Sequence, residues 1–411
     1  MALLTADPFA NTLALLGLLW LGAKVGGELA IRLKLPAVAG ELAIGLALAA
    51  LHRLFPLLPD FTANPAADTL ANLGVIILMF AVGLESTVPQ MLTVGWPSLR
   101  VALVGVVAPM AAGLVGSWAL LPASTPFAVH LFIGACLCAT SIGISAQVLR
   151  EQGAGASLEG RVIIGAAVMD DVLGLLVLVG VSGVVTAYAA GGGLPWASLG
   201  KTLALALAFL AVALTVGRRT TPYLFRFASR FRSEQLLLPV ALAFAFLLAW
   251  LGNLAGLAPI VGAYAAGLIL EPAHIQVLEA REEHTLEALV HPLVVTFAPI
   301  FFVLMGAKVD VLALLEPQTL LFAALLAGVG ILGKYLAGFV AGGKLRSSAI
   351  GWGMVPRGEV GLIFVATGSH LLLGGAPLLN SHVQASIVGA LLLTTIVGPV
   401  GLGWVLRRQS V

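Results

Sequence analysis

Runs of about 20 apolar residues, the length an α-helix needs to cross the hydrocarbon core of a bilayer, follow one another from residue 8 to residue 406. Thirteen candidate spans can be marked, at about 8–30, 36–55, 68–85, 98–121, 128–150, 160–189, 197–217, 234–251, 255–271, 287–308, 317–342, 347–372 and 382–406. Pro and Gly punctuate the joints, as in LKLPAVAG, VGWPSL and LLPASTPF. Strands of a β-barrel would instead need short alternating segments. Composition agrees: charged residues make up 10% of the chain and hydrophobic ones 60%, where a soluble domain carries about 25% charge. So few charges cannot cover a water-facing surface. That excludes a soluble enzyme, a disordered chain and a nucleic-acid binder, and predicts an all-α polytopic membrane protein whose surroundings are the lipid bilayer. The N-terminus lacks a basic n-region and runs straight into an apolar helix, so the first helix is expected to stay. Cys136 and Cys138, one residue apart in an apolar run, read as small buried residues rather than as a bridge or a metal site.

Basic residues tend to stay on the cytoplasmic side of a membrane. With thirteen spans, one side holds Arg32, Lys34, Arg100, Arg150, Arg161, Arg218, Arg219, Arg226, Arg230, Arg232, Arg281, Lys344, Arg346, Arg407 and Arg408. The other holds only Arg53, Lys201 and Lys308, while Lys24, Lys334 and Arg357 fall inside spans. This asymmetry supports the count and predicts a multi-pass protein of the cell inner membrane, N-terminus outside and C-terminus cytoplasmic.

Two segments resemble each other. VAGELAIGLAL (38–48) aligns with IVGAYAAGLIL (260–270), placing Gly40 on Gly262 and Gly45 on Gly267. ILMFAVGLEST (77–87) aligns with PIFFVLMGAKVDV (299–311), placing Gly83 on Gly306. The offsets are 222 and 223 residues, a shift of seven spans, so the second copy must sit upside down. Inverted repeats point to a secondary transporter, whose binding site lies where matching spans are interrupted. The fifth and twelfth spans match in this way. One contains ATSIGIS, with Thr140, Ser141, Gly143 and Ser145; the other contains MVPRGEVG, with Pro356, Arg357, Gly358 and Glu359.

Charges in mid-membrane mark function. Asp170 and Asp171 are adjacent in the middle of 160–189. Two neighbouring carboxylates there require a proton or a cation on at least one of them at times. Lys334, alone in its span, has one of these carboxylates as its natural partner, with snorkelling to the interface as the alternative. Arg357 and Glu359 at the break in the twelfth span are expected to hold the crossover, a direct ion role being the alternative. Glu41 and Glu85 read as structural. Lys308 and Asp310 should lie in water near the outer end, and the segment Glu279, Ala280, Arg281, Glu282, Glu283, His284 should be a solvated cytoplasmic loop.

GAAVMDDVLGLLVL, ATSIGISAQVLRE, GLAPIVGAYAAGLIL, APIFFVLMG, ILGKYLAGF and MVPRGEVGLI together resemble the second family of monovalent cation:proton antiporters, and within it the NapA-like bacterial sodium/proton antiporters. The likeness runs across nearly the whole chain. It implies an NhaA/NapA-like fold of thirteen transmembrane helices with inverted repeats and two crossing broken helices. It implies a core domain at about 68–189 and 287–411, and a dimerisation domain at about 1–60 and 197–275 of a homodimer. Asp171 then matches the essential ion-binding carboxylate, Asp170 the preceding acid that also contacts Na⁺, and Lys334 the lysine paired with Asp170. Thr140 and Ser141 match the polar break of the first crossing helix, and Arg357 and Glu359 the motif of the second. The implied function is not enzymatic: exchange of Na⁺ or Li⁺ for H⁺ in pH homeostasis, two protons per Na⁺, by an elevator-type movement, with no cofactor beyond the substrate ions. No phosphate-binding GxxxxGK[ST] motif is present, so an ion gradient must drive it. K⁺/H⁺ exchange remains an alternative, as does, from another class, a cation channel or a sensor that does not transport.

Overall fold

The computed structural model describes residues 8–33, 35–54, 62, 64–85, 95–155, 157–189, 204–205, 208–209, 211–228, 231, 235–255, 257–270, 284–343 and 345–407. Lys34, Lys201, Arg230, Arg232, Lys344, Arg408 and the segment 279–283 lie outside these residues, as do the side chains of Glu85, Arg150 and Glu359.

Nine described helices are long and apolar enough to cross a membrane. They are α1 (Pro8–Arg32), α2 (Ala37–Leu54), α3 (Pro65–Glu85), α4 (Gly95–Leu120), α7 (Leu158–Ala189), α9 (Leu237–Leu254), α11 (Leu286–Ala307), α13 (Pro317–Ala337) and α16 (Ser381–Arg407). The remaining expected spans fall short for visible reasons. The fifth is split into α5 (Phe127–Cys136) and α6 (Ile142–Glu151), and the twelfth into α14 (Ser347–Met354) and α15 (Glu359–His370). The ninth is the short α10 (Pro259–Ile269). The seventh falls largely outside the described residues and ends in a π-helical turn, Ala213–Gly217, continued by α8 (Arg218–Ala228). A five-residue helix, α12 (Val311–Leu315), links α11 to α13. A small hairpin, β1 (Leu372–Leu373) and β2 (Ala376–Pro377), precedes α16. Its turn residues Gly374 and Gly375 both have positive φ, which Gly adopts without a steric cost.

The repeat legible in the sequence reappears as matched contacts. A Cβ at Gly45 would collide with α11 at Val303 and Gly306, and one at Gly83 would collide with α10 at Tyr264 and Gly267. Under the sequence alignment these two crossings are images of each other. Gly40 backs onto Gly26 of α1, and its image Gly262 backs onto Leu248 of α9. Gly74 of α3 lies against Phe297 of α11, its own image at an offset of 223. Asp68, near the start of α3, pairs with Lys308, just past the end of α11, at 2.7 Å. The related helices are therefore antiparallel, and the repeats are inverted. In the broken-helix half, Gly134 backs onto Met110 of α4, and Gly351 onto Tyr335 of α13.

The expected core at 68–189 and 287–411 includes α3 and α11. These two pack extensively on each other, α3 also on α10 and α11 also on α2. Both helices are apolar and enclosed by protein on several sides, so no polar stripe marks which neighbours they prefer. The other half groups α4, α5, α6, α7, α13, α14, α15 and α16.

Lys308 and Asp310 are not simply hydrated. Each is half-buried and paired, Lys308 with Asp68 and Asp310 with Arg53 at 2.9 Å. Glu41 is buried on α2, facing Gly27 of α1. Pro299 has no N–H for the carbonyl of Val295 four residues earlier, and Lys24 Nζ donates to that oxygen at 3.0 Å. Trp20 Nε1 donates to the neighbouring Thr296 carbonyl at 2.7 Å, so α1 is stitched to the proline-bearing part of α11.

Candidate functional site: a buried ion pair at two crossing broken helices

Each broken helix fails where its sequence stops supporting one. Just beyond α14, Pro356 lacks the N–H that would continue the ladder, and Gly358 adds flexibility. The carbonyls left at the end of α14 need donors, because buried backbone oxygens without partners are costly. The first broken helix supplies them. Ser145 Oγ donates to Gly353 O at 2.6 Å, Thr140 Oγ1 to Met354 O at 3.1 Å, and the Ser141 amide to Pro356 O at 2.9 Å. A side chain at Gly358 would overlap Ser141, which is 2.7 Å from the Cβ position, so the crossing also requires glycine there. The two interruptions, separate in sequence, satisfy each other in space.

Asp170 sits beside this crossing on α7. Its Oδ2 accepts the Thr140 amide at 2.7 Å, and its Oδ1 accepts from Lys334 Nζ at 2.7 Å. Both side chains of the ion pair are 0% exposed. Lys334 therefore does not snorkel; it turns inward. Gly105 of α4 faces it; a Cβ there would sit in ordinary contact, 3.5 Å from Nζ. Gly333 lets α13 press against Pro109 of the same helix. Asp171, the next residue, is 5% exposed. Arg357 is buried, donating through Nη1 to Ala139 O and through Nη2 to Gly330 O at 3.3 Å. Its guanidinium thus caps the unwound end of α5 and braces α13. Glu359 opens α15.

The structure brings Asp170, Lys334, Thr140, Ser141 and Arg357 into one cluster, with Asp171 adjacent on α7. A dry, fixed carboxylate–ammonium pair next to a second buried carboxylate can exchange protons for a hard cation without exposing net charge to lipid. Two contributors are not evident from the sequence. Ser145 lies in the ATSIGIS motif, whose spacing does not reveal that its hydroxyl reaches Gly353 O. Thr395 of α16 donates to Arg357 O at 2.6 Å, and the Thr394–Thr395 pair in an apolar helix gives no signal of that kind. Cys136 and Cys138 are buried free thiols.

The sequence matches the family described as sodium/hydrogen exchanger, transmembrane, over residues 17–408. It is 36% identical over 427 residues to the high-affinity Na⁺/H⁺ antiporter NhaS3 of Synechocystis sp., covering 95% of this chain and 88% of that one. It is 33% identical over 394 residues to the Na⁺/H⁺-K⁺ antiporter GerN of Bacillus cereus, covering 93% of each. The fold is similar to the solved sodium proton antiporter MjNhaP1 of Methanocaldococcus jannaschii, with a TM-score of 0.69 at 16% identity over 96% of this chain and 98% of that one.

Proposed function

The chain belongs to the sodium/hydrogen exchanger family, and from that premise we propose that it exchanges Na⁺ for H⁺ at Asp171 and Asp170, electrogenically and by alternating access. It is a Na⁺/H⁺ antiporter, a multi-pass membrane protein and not an enzyme. The observation that carries the mechanism is the fully buried Asp170–Lys334 pair beside Asp171 at the crossing of the broken helices.

Na⁺ is a hard ion that takes oxygen ligands. Asp171 supplies the charge, Asp170 a second carboxylate, and the backbone and hydroxyls around Thr140 and Ser141 the remaining oxygens, with water. Proton and Na⁺ compete for Asp171. As Na⁺ enters, Asp171 gives up its proton. Asp170 turns toward the ion, its pair with Lys334 breaks, and the unpaired ammonium releases a second proton in its apolar surroundings. Two protons leave for each Na⁺ that binds, so the cycle moves charge. Arg357 and Glu359 hold the crossing helices in place.

The antiparallel repeat supports an elevator-like movement of a core against a scaffold. We assign α4–α7 and α13–α16 to the core, and α1–α3 with α9–α11 to the scaffold, which would also form a homodimer. Thirteen spans in an inner membrane, N-terminus outside and C-terminus cytoplasmic, fit the placement of Lys and Arg. The cellular role that follows is pH and Na⁺ homeostasis. Carriage of K⁺ is the second reading, favoured by the name of the Bacillus cereus relative.

Antiport by purified protein in liposomes, with Na⁺, Li⁺ and K⁺ compared at several pH values, tests these assignments. Na⁺-driven proton movement that saturates and responds to membrane potential is expected. Current that fails to saturate would indicate a channel, and exchange indifferent to potential would remove the second proton.

A further inference from the structure

Arg357 O belongs to unwound backbone at membrane depth, where it needs a donor as much as the α14 carbonyls do. That donor is Thr395 Oγ1 on α16, at 2.6 Å. The same hydroxyl lies 2.7 Å from Leu391 O, four residues back on its own helix. A hydroxyl has a single hydrogen to donate, so its two acceptors are alternatives. Beside it, a Cβ at Gly398 would lie 2.7–2.9 Å from Pro356, so α16 is pressed directly against the break. Thr395 is 3% exposed.

The contact leads further. Arg357, held at its carbonyl by Thr395, donates through its guanidinium to Ala139 O. The carbonyl of Ala139 and the amide of Thr140 are the two ends of one planar peptide unit. The oxygen of that unit faces Arg357, and its N–H faces Asp170 Oδ2 at 2.7 Å. The orientation of the peptide, and with it the position of Asp170 and of the oxygens beside it, therefore depends on where Arg357 is held. Hydrogen bonds linked in this way also polarise one another.

We infer that Thr395 is a positioning residue of the ion site, acting through Arg357 and the Ala139–Thr140 peptide on Asp170. The inference rests on the Na⁺/H⁺ exchange proposed above. It places a determinant of cation affinity on α16, a helix that supplies no ionisable group to the site. While the hydroxyl donates to Arg357 O, the peptide is fixed and the cation ligands are preorganised. Turned to Leu391 O, the hydroxyl releases the unwound strand, and the ligands lose their common geometry.

The test compares T395V, which keeps the shape but removes the donor, with T395S, which keeps the donor. Exchange is measured in proteoliposomes as a function of Na⁺ concentration. Loss of one such hydrogen bond should raise the apparent KM for Na⁺ by about 2- to 10-fold, with the maximal rate per folded molecule little changed. T395S should restore most of the affinity. A purely structural threonine would instead lower yield or Tm and leave KM where it was, and that result overturns the inference, as does a T395S variant as weak as T395V. Should T395V not fold, T395C, of similar size with a weak S–H donor, should give an intermediate KM; a wild-type KM overturns the inference. The wild type separates the two levels of argument. If it moves no protons on Na⁺ addition, the exchange reading and this inference both fall; if it is active and T395V matches it, only the inference does.

Discussion

The two halves of the molecule solve the same problem, packing apolar helices closely against one another, by opposite means. Where α2 and α3 cross α11 and α10, glycines bring backbone against backbone, and the atoms they meet at these crossings are all backbone atoms. Where α5 and α6 cross α14 and α15, the contacts are hydroxyls, an amide, a guanidinium and a buried ion pair. The first arrangement is intolerant of size. The second tolerates little change in polarity and offers groups that can gain or lose protons, and the proposed exchange chemistry draws on it.

The sharpest way to break this contrast is Asp171→Asn. It keeps shape while removing the charge that both substrates need, so Na⁺-driven proton movement in liposomes should be abolished for every cation with folding intact. Substantial flux by the purified variant would move the site elsewhere.

Next in size are changes at Lys334. Lys334→Ala leaves Asp170 buried without its cation, a loss of about 3–5 kcal/mol, visible as a large fall in Tm and activity. Lys334→Gln keeps length and hydrogen bonding. The exchange it retains should be electroneutral, because Asp171 alone still trades one proton for one Na⁺. An unchanged response to imposed potential would make Lys334 structural and leave the second proton to Asp170.

The glycine half should answer differently. Gly45→Val would drive a side chain into the α11 backbone, and overpacking of this kind costs about 1–3 kcal/mol. Its image Gly267→Val should cost a similar amount, since its Cβ meets α3 in the same way. Both should lower Tm while the KM for Na⁺ of the folded fraction stays at the wild-type value. A changed KM would mean that the scaffold shapes the site directly.

The smallest effect is expected at the linker. Asp310 caps α12 by accepting the amides of Leu312 and Ala313 and pairs with Arg53. Burial pushes its carboxyl up, but the Ala313 amide, the Arg53 guanidinium and the Leu312 amide outweigh burial and hold it below the ordinary value. A depressed carboxyl contributes stability above its unfolded pKa that is lost as pH falls through the folded one. Asp310→Ala should cost about 0.5–2 kcal/mol at neutral pH. The wild type should lose part of that advantage on acidification below about pH 4. Thermal unfolding at neutral and acid pH checks both; equal differences at the two values would remove the carboxylate from the account.

What the sequence made legible follows the same division. Asp170, Asp171 and Lys334 stand out because an apolar run makes any charge conspicuous, and the breaks stand out because Pro356 and the Ser and Thr residues interrupt one. The repeat could be read because close crossings demand glycine at fixed offsets. The placement of α3 and α11 could not, since an apolar helix enclosed by other apolar helices has no face that names its neighbours. Thr395 was hidden for the converse reason: a hydroxyl in a membrane helix usually bonds its own backbone, and only the fold shows that this one also reaches Arg357.

The contact of Gly74 with Phe297 carries a consequence for the history such a chain can have. In a protein descended from a doubled segment, most positions drift apart freely, because each copy has its own neighbours. A position that faces its own counterpart has less of that freedom: a side chain at position 74 would run into the backbone of Phe297, so the first copy keeps glycine where the second, meeting it with backbone, carries a ring. The seam between the copies is where the ancestral symmetry had to be given up first, and where an attempt to rebuild a symmetric version of this protein would have to begin.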